Sequence, residues 1–453
     1  MLPSSMRPTP STGMGIFLVI WAGQLVSLLG TFMTQFALTI WAWEATGEAT
    51  ALSMVGFFSF APTVLLSPLA GVMADRWNRK ALMILSDLGA GLSTLAVLVL
   101  FATGRLEVWH LYVTGAFAGA FQAFQFPAYM AAVTTLLPKE HYARASGLLS
   151  FAQSASSMTA PLLASILMRT FGLIGILLID VGTFLVAVVT LFIVTIPRPA
   201  PEATGLQGVA DLWRQSFYGF QYIFERPSLL YLQAFFLVFN LIGTFSMMLL
   251  SPMILARSGN DEVVLGSVQS ALGVGGIVGG LRLGVWGGPK LRIRGVLLGW
   301  VLSGMGGNLL FGLGRSLPVW AVAGFFSTFF FTIASGAEQA IWQSKVAPEV
   351  QGRVFAGRRL SSQITVPVGM LLAGPLADAV FEPAMMPGGA LAGMFGGVTG
   401  TGAGAGMALI LALTGILELL VCLSGFAVPA VRDIEELLPD YDAVTPEVTA
   451  CEL

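Results

Sequence analysis

The chain has 453 residues, of which 56% are hydrophobic and only 10% are charged, and its formal net charge is −2. So little charge cannot cover a soluble globule of this size, which excludes an ordinary soluble protein and indicates a chain that resides in lipid. The two cysteines and two histidines also argue against a disulfide framework and against a metal site.

Apolar stretches of about 20 or more residues, the length that crosses a bilayer as a helix, recur along the whole sequence. Because lipid offers the backbone no hydrogen-bond partner, only helices fit this pattern. The sequence predicts twelve spans, numbered in chain order, at residues 15–41, 50–73, 80–102, 107–136, 142–168, 171–195, 228–255, 263–287, 293–313, 317–345, 354–381 and 405–428.

The first span is predicted to be a retained helix and not a cleaved signal peptide. It follows a leader with one basic residue, Arg7, and no small-residue cleavage site separates it from the second span. With the N-terminus inside, 17 of the 22 Lys and Arg residues fall in inner loops or at inner helix ends. This asymmetry predicts a multi-pass protein of the cell membrane with both termini in the cytoplasm.

Spans 1, 4, 7 and 10 carry uncharged polar side chains at helical spacing. In hydrocarbon such side chains tend to face other helices or water. They either line a substrate cavity or only form hydrogen bonds between helices. The cavity candidates are Gln24, Thr31, Gln35, Gln122, Gln125, Tyr129, Asn240, Thr244, Thr332, Gln339 and Trp342.

A charged motif lies in the polar gap between spans 2 and 3. It consists of Gly71, Asp75, Arg76, Arg79 and Lys80, spaced as Gly-x-x-x-Asp-Arg-x-x-Arg-Lys. The preference of inner loops for basic residues explains the Arg and Lys positions. It does not explain Asp75 or Gly71, so the motif indicates more than membrane orientation.

Four acidic residues inside predicted spans stand out: Asp87 in span 3, Asp180 in span 6, Glu338 in span 10 and Glu418 in span 12. A carboxylate near the bilayer centre costs about 2.5–3.5 kcal/mol on insertion scales, so each one needs a partner, a proton or a function. Glu338 shares its span with cavity candidates. It is predicted to carry a proton or to pair with a cationic substrate group, and a structural bond to a neighbouring helix is the alternative.

The chain divides into two halves. The proline-rich stretch IPRPAPEATG at residues 196–205 begins the longest inner segment, and SLLGTF at residues 27–32 recurs as NLIGTF at residues 240–245. Such repeats are typical of transporters built from two related bundles. We expect a first bundle at residues 1–195, a cytoplasmic linker with an amphipathic helix at 196–227, a second bundle at 228–428 and a solvated acidic tail at 429–453.

The glycine-rich segment at residues 387–406 contains spacings that also occur in dinucleotide-binding loops. No strand precedes it, and no strand–helix–strand unit can be built around it. A flexible outer loop is therefore predicted, and no cofactor is expected.

The motif at residues 71–80 resembles the loop between the second and third helices of the major facilitator superfamily of transporters. Residues 21–38, WAGQLVSLLGTFMTQFAL, and residues 343–359, QSKVAPEVQGRVFAGRR, are similar to its macrolide-efflux and drug–proton antiporter branch. The resemblance covers nearly the whole chain. It implies an all-α membrane protein with twelve transmembrane helices in two pseudo-symmetric six-helix bundles.

The resemblance also implies roles for the candidate residues. Spans 1, 4, 7 and 10 would line a central cavity, and the motif at residues 71–80 would act as a cytoplasmic gate. Spans 3, 6, 9 and 12 would be scaffold, which weakens Asp87, Asp180 and Glu418 as substrate contacts. The proton-coupling candidates are Glu338, Asp180 and Asp87.

Two family motifs are altered in this chain. Ala118 stands near the position of the helix-4 arginine that proton antiporters of the superfamily commonly carry. Their Gly-x-x-x-Gly-Pro motif of helix 5 survives only as Ser156, Ala160 and Pro161. Small residues at these positions still permit close helix approach.

The sequence therefore predicts a secondary transporter that exports a lipophilic or amphiphilic small molecule by alternating access, coupled to protons. A neutral or weakly cationic substrate is expected, because the cavity spans carry no basic residue. A proton-coupled importer and a receptor that binds without transport are the alternatives. We expect a monomer in the bilayer that binds no nucleic acid, and no enzyme, since no nucleophile, base and orienting group occur together.

Overall fold

A computed structural model describes residues 13–138, 141–194 and 220–440. The described residues contain helices and no strand, as the all-α prediction requires. The helices are α1 Met14–Thr46, α2 Ala49–Arg76, α3 Arg79–Ala102, α4 Val108–Leu136, α5 Tyr142–Ile193, α6 Pro227–Ser258, α7 Glu262–Trp286, α8 Arg292–Ser303, α9 Leu310–Leu313, α10 Leu317–Lys345, α11 Pro348–Leu376, α12 Glu382–Met385, α13 Ala392–Thr399, α14 Ala405–Ala427, α15 Pro429–Arg432 and α16 Ile434–Leu437. Single π-helical turns at Gly304–Leu309 and Ala377–Phe381 continue α8 and α11.

Each of the twelve predicted spans coincides with a helical segment. Within the described residues, ten helices are long and apolar enough to cross a membrane by length and composition. The long helix α5 is one of the ten and covers spans 5 and 6, while α4, with 29 residues, is not among them. The pattern of apolar stretches therefore located the helices.

Gly172 divides α5 into two spans. The helix has 52 residues, which at 1.5 Å per residue is about 78 Å, far more than one hydrocarbon core. Gly172 has φ 63° and ψ −172°, a conformation that residues with a Cβ rarely adopt. The helical hydrogen-bond pattern thus continues across a break at which the chain changes direction.

The charged motif at residues 71–80 is more helical than its polar sequence predicts. Helix α2 continues to Arg76 and α3 begins at Arg79, so only two residues separate them. Asn78 caps α3 by accepting a hydrogen bond from the backbone N–H of Ala81, at 3.3 Å. The helices extend past the apolar stretch because the backbone at the interface still gains from internal hydrogen bonds.

The basic residues of the motif secure the ends of neighbouring helices. Arg79 donates to the Ala131 carbonyl of α4 at 2.8 Å, and Lys80 donates to the carbonyls of Phe192 and Val194 at the end of α5, at 3.0 and 2.6 Å. Lys80 thus places a cation on the carbonyls at the end of α5, where it is favoured, and Arg79 ties α3 to the last two turns of α4. The side chains of Gly71, Asp75 and Arg76 lie outside the described part.

The chain forms two compact units, each with its own apolar core. The first consists of residues 1–45 and 54–209, and the second of residues 46–53 and 210–453. In the second unit, Asp378 accepts hydrogen bonds from the backbone N–H groups of Ala49 and Thr50, at 3.1 and 2.6 Å. Most of the predicted amphipathic helix in the linker lies outside the described residues.

Part of the expected solvated tail is folded. Val431 and Ile434, in the short helices α15 and α16, are fully buried in the core of the second unit. The Lys345 ammonium at the end of α10 binds the Asp440 carboxylate at 2.9 Å and the carbonyl of Leu438. The sequence prediction of solvation is therefore wrong for residues 429–440, which we call the tail clamp.

The glycine-rich outer segment also has more structure than predicted. It contains α13, whose Phe395 packs with Leu391 against a small core that includes Met385 and Leu409. The Arg257 guanidinium donates to the carbonyl of Thr399 at the end of α13. Packed apolar side chains and the Arg257 contact thus hold this segment in place, although its glycine content predicted a flexible loop.

Candidate functional site

In the first unit, Asp87 joins three helices through two glutamines. Its Oδ2 accepts from Gln24 Nε2 of α1 at 2.8 Å, and its Oδ1 accepts from Gln125 Nε2 of α4 at 2.9 Å. Gln125 Nε2 also lies 2.9 Å from Gln24 Oε1. We call Gln24, Asp87, Gln125 and the adjacent Tyr129 the Asp87 cluster.

Tyr129 completes this cluster one helical turn after Gln125. It is only 7% exposed, and it interacts electrostatically with Asp87. Pro127 lies between the two residues in α4, and because proline has no N–H, the carbonyl of Ala123 lacks its usual helical donor. The sequence had grouped Gln125 and Tyr129 as cavity candidates but had not connected them to Asp87.

Asp180 of α5 accepts a hydrogen bond from a hydroxyl group of a neighbouring helix. Thr94 of α3 donates to its Oδ2 at 2.9 Å. A Cβ on Gly30 would lie 2.9 Å from Asp180 Oδ1, so α1 approaches Asp180 closely. Asp180 therefore joins α3 to α5 through a neutral partner and lies against α1.

Glu338, the leading proton-coupling candidate, has a cationic partner in the second unit. Its Oε1 lies 2.6 Å from Arg358 Nη2 of α11 and accepts from the indole N–H of Trp342 at 3.1 Å. The side chains of Glu338 and Arg358 are 1% and 12% exposed. Desolvated pairs of this kind are short and strong when the donors are well placed.

Aromatic rings and an amide surround the Arg358 guanidinium. Its central carbon lies 5.1 Å from the ring centre of Trp342 and 5.3 Å from that of Phe236. Its Nη1 donates to Gln339 Oε1 at 2.7 Å. Cation–π contacts and a charged hydrogen bond thus hold Arg358 against α10.

Arg358 lies well inside its helix. The predicted span 11 begins at residue 354, but α11 begins at Pro348, so Arg358 lies almost three turns after the start of the helix. Proline is favoured in the first turn of a helix, which fits the position of Pro348.

The fourth acid, Glu418 in α14, is enclosed by a neutral partner. Asn308 Nδ2 lies 2.9 Å from both carboxyl oxygens, and the Glu418 residue is 1% exposed. Asn308 belongs to the π-helical turn that follows α8. A π turn changes the direction of side chains along a helix, and here the amide points at the carboxyl group.

The remaining cavity candidates are scattered, and several bond within their own helices. Gln35 and Gln122 are exposed, while Trp342 is fully buried. Three of these side chains donate to the backbone carbonyl one turn earlier in their own helix: Asn240 to Phe236, Thr244 to Asn240 and Thr332 to Thr328. Within the described residues, no group of three or more His, Cys, Asp or Glu side chains is arranged to hold a metal ion.

Comparison with known proteins gives a consistent family match. The family model described as Major Facilitator Superfamily matches residues 20–370. "Macrolide efflux protein A" of Streptococcus pyogenes is 29% identical over 384 residues, which cover 80% of this chain and 90% of the relative. The "Multidrug efflux pump Tap" of Mycolicibacterium fortuitum is 24% identical over 385 residues, covering 82% and 91%.

Solved structures share the fold. A bacterial homologue of the human lysosomal transporter Spinster superposes with a TM-score of 0.64 at 15% identity, covering 93% of this chain and 98% of the other. The identity is too low to transfer a function. The agreement in fold confirms the two-bundle, all-α architecture that the sequence predicted.

Proposed function

The chain belongs to the Major Facilitator Superfamily, and from this we propose that it exports lipophilic or amphiphilic small molecules across the cell membrane, driven by protons. The observation that carries the proposal is the similarity to efflux proteins over most of both chains. Transport would proceed by alternating access of the bundles at residues 1–195 and 228–428, with the motif at residues 71–80 as the cytoplasmic gate.

The charges of the described interior favour a neutral or weakly cationic substrate. Among the described ion pairs of the second unit, Arg358 is the one arginine that lies inside a span and contacts a buried acid. Glu338 already neutralises its charge. An anionic phosphate ester would need a free guanidinium or ammonium group. A macrolide or a lipophilic amine has no such requirement.

Buried acids support proton coupling within this proposal. Asp87 and Asp180 bond to neutral amides and hydroxyls, and a carboxyl group with neutral partners can gain a proton without leaving another charge unpaired. We further propose a monomer with both termini in the cytoplasm and no enzymatic activity.

Inverted membrane vesicles test the direction of transport. Vesicles that contain the full chain should accumulate radiolabelled erythromycin when their lumen is acidified, because inverted vesicles present the cytoplasmic side to the medium. A protonophore should abolish the accumulation, and vesicles from cells with the empty vector are the control.

The alternatives give different results in the same assay. Accumulation only in right-side-out vesicles would identify an importer. Saturable erythromycin binding to the purified protein, without accumulation in either orientation, would identify a receptor. No binding and no accumulation would remove macrolides from the proposed substrates.

A further inference from the structure

Asp87 is the most exposed of the four acids inside the spans. The residue is 9% exposed, against 4% for Asp180 and 1% for both Glu338 and Glu418. The glutamines that bond to it are themselves only partly buried. Asp87 is therefore less enclosed than Glu418.

The Asp87 cluster contains buried polar atoms without a partner among the described residues. They are Gln125 Oε1 and the Tyr129 hydroxyl. Buried polar groups are nearly always hydrogen-bonded, so each exception requires an explanation. Gln125 bonds to Asp87 through its Nε2, so its free Oε1 is an acceptor on the same amide that already contacts the carboxyl group.

These spare atoms allow the cluster to satisfy Asp87 with and without a proton. An ionised Asp87 accepts the amide N–H groups of Gln24 and Gln125. A protonated Asp87 can donate its O–H to the oxygen of a rotated Gln125 amide, since an amide serves as both donor and acceptor. The proton is gained or lost without any other charge becoming unpaired.

No cation competes for Asp87 in the described part of the first unit. The groups that bond to it are Gln24 and Gln125. The titratable and charged residues elsewhere on the helices around it are Glu44 in α1, Asp75 and Arg76 in α2, Arg79 and Lys80 in α3, His110, Tyr112 and Tyr129 in α4, and Tyr142, Arg144, Arg169 and Asp180 in α5. Of these, Arg79 and Lys80 are bonded to backbone carbonyls.

Glu338 has the opposite surroundings. Its carboxylate lies 2.6 Å from the Arg358 guanidinium, so a proton on Glu338 would leave a buried cation without its counter-charge. Asp87 can therefore gain and lose a proton without leaving another charge unpaired, whereas Glu338 cannot.

We propose that Asp87, held by Gln24 and Gln125, binds the proton that drives transport, while Glu338 remains ionised beside Arg358. The reversible binding of a proton at Asp87 stands on the geometry of the cluster alone. Its part in driving export rests on the function proposed above.

Infrared titration of the purified full-length protein tests proton binding without any transport. The other carboxyl groups of the chain also titrate, so the signal is the difference between the wild-type and Asp87→Asn titrations, which should contain a carboxyl C=O band whose intensity changes with pH. The same band should be present in Glu418→Gln, the same chemical change at an enclosed acid. A wild-type minus Asp87→Asn difference without any titrating C=O band would overturn the proposal.

Gln24→Leu provides a second variant that keeps the carboxyl group, in case Asp87→Asn fails to fold. Loss of the amide removes a donor to the ionised form, so the titration midpoint should rise. An unchanged midpoint in a folded protein would contradict the role of Gln24 in the cluster.

Proteoliposomes test the coupling. Asp87→Asn should lose at least ten-fold of the proton-driven erythromycin uptake but retain exchange of labelled for unlabelled erythromycin without a gradient, and Glu418→Gln should retain both. Retained proton-driven uptake in Asp87→Asn, or a requirement for sodium, would overturn the assignment while leaving export intact. If the wild type transports no erythromycin, the proposed export of that substrate is wrong. The infrared titration then tests by itself whether Asp87 binds a proton.

Discussion

At the scale of single residues, the intramembrane carboxyl groups differ in what neutralises them. Glu338 has an arginine, whereas Asp87, Asp180 and Glu418 have amides and hydroxyls. At Glu338 a counter-charge therefore offsets the free-energy cost of an ion in lipid. At the other three carboxyl groups a bound proton removes this cost, or neighbouring dipoles reduce it. This distinction changes Glu338 from the leading proton carrier into one half of a structural pair.

Glu338→Gln should destabilise the protein more than the same change at an acid with neutral partners. Removing one member of a buried pair costs about 3–5 kcal/mol because the other charge stays unpaired. Glu418→Gln, whose partner Asn308 is neutral, should cost about 1 kcal/mol. Thermal unfolding of the purified variants in one detergent measures both.

A double variant isolates the effect of the unpaired charge. Glu338→Gln combined with Arg358→Met replaces the cation by an apolar side chain, and such replacement of a pair is often nearly neutral. It should recover most of the stability lost by Glu338→Gln alone. Equal losses in the single and double variants would show that Arg358 does not depend on Glu338.

At the scale of elements, the tail clamp ties three helices of the second unit together. Glu435 Oε2 accepts from the Ile293 N–H at the start of α8, at 3.1 Å, while Lys345 at the end of α10 binds the tail. Val431 and Ile434 enter the core that also contains Leu229 of α6. The Lys345 ammonium lowers the pKa of the Asp440 carboxyl group by hydrogen bonding to it, so Asp440 is ionised at neutral pH.

Two residues of α16 form a matched test of the tail clamp. Ile434 is 0% exposed and Leu437 is 58% exposed. Ile434→Ala should lower the free energy of unfolding by about 2–4 kcal/mol, and Leu437→Ala by less than about 0.5 kcal/mol, as measured by thermal or denaturant unfolding. Equal, small effects would mean that the tail is solvated as its acidic sequence suggested.

At the scale of the whole molecule, the distribution of Lys and Arg predicts which loops face the cytoplasm. The exposed Arg105 follows α3 on the predicted outer side, and the exposed Lys290 follows α7 on the predicted inner side. Because translocation of basic residues is disfavoured in short loops, these positions should remain on opposite sides of the membrane.

Cysteine labelling checks this orientation. In a background with Cys451→Ser, Arg105→Cys should react with a membrane-impermeant maleimide in intact cells, and Lys290→Cys should react only in inverted vesicles. The native Cys422 is fully buried and should stay unlabelled, so the background protein is the control. The reverse pattern would place the termini outside.

The sequence by itself determined the class of this protein. A bilayer requires long apolar helices with internally bonded backbones, so hydropathy located all the predicted spans, and the motif at residues 71–80 identified the family. Boundaries were less certain, because helices continue past the apolar stretch where the interface supplies polar partners. That error hid the depth of Arg358.

Only the tertiary structure decided which polar groups meet. Gln24 and Gln125 lie 63 and 38 residues from Asp87, and their contact depends on how each helix is rotated and how far it slides along its neighbour. Spacing along one helix shows which residues share a face, but it carries no information about the register between helices. For the same reason the acidic tail looked solvated until the structure showed two of its apolar residues in the core.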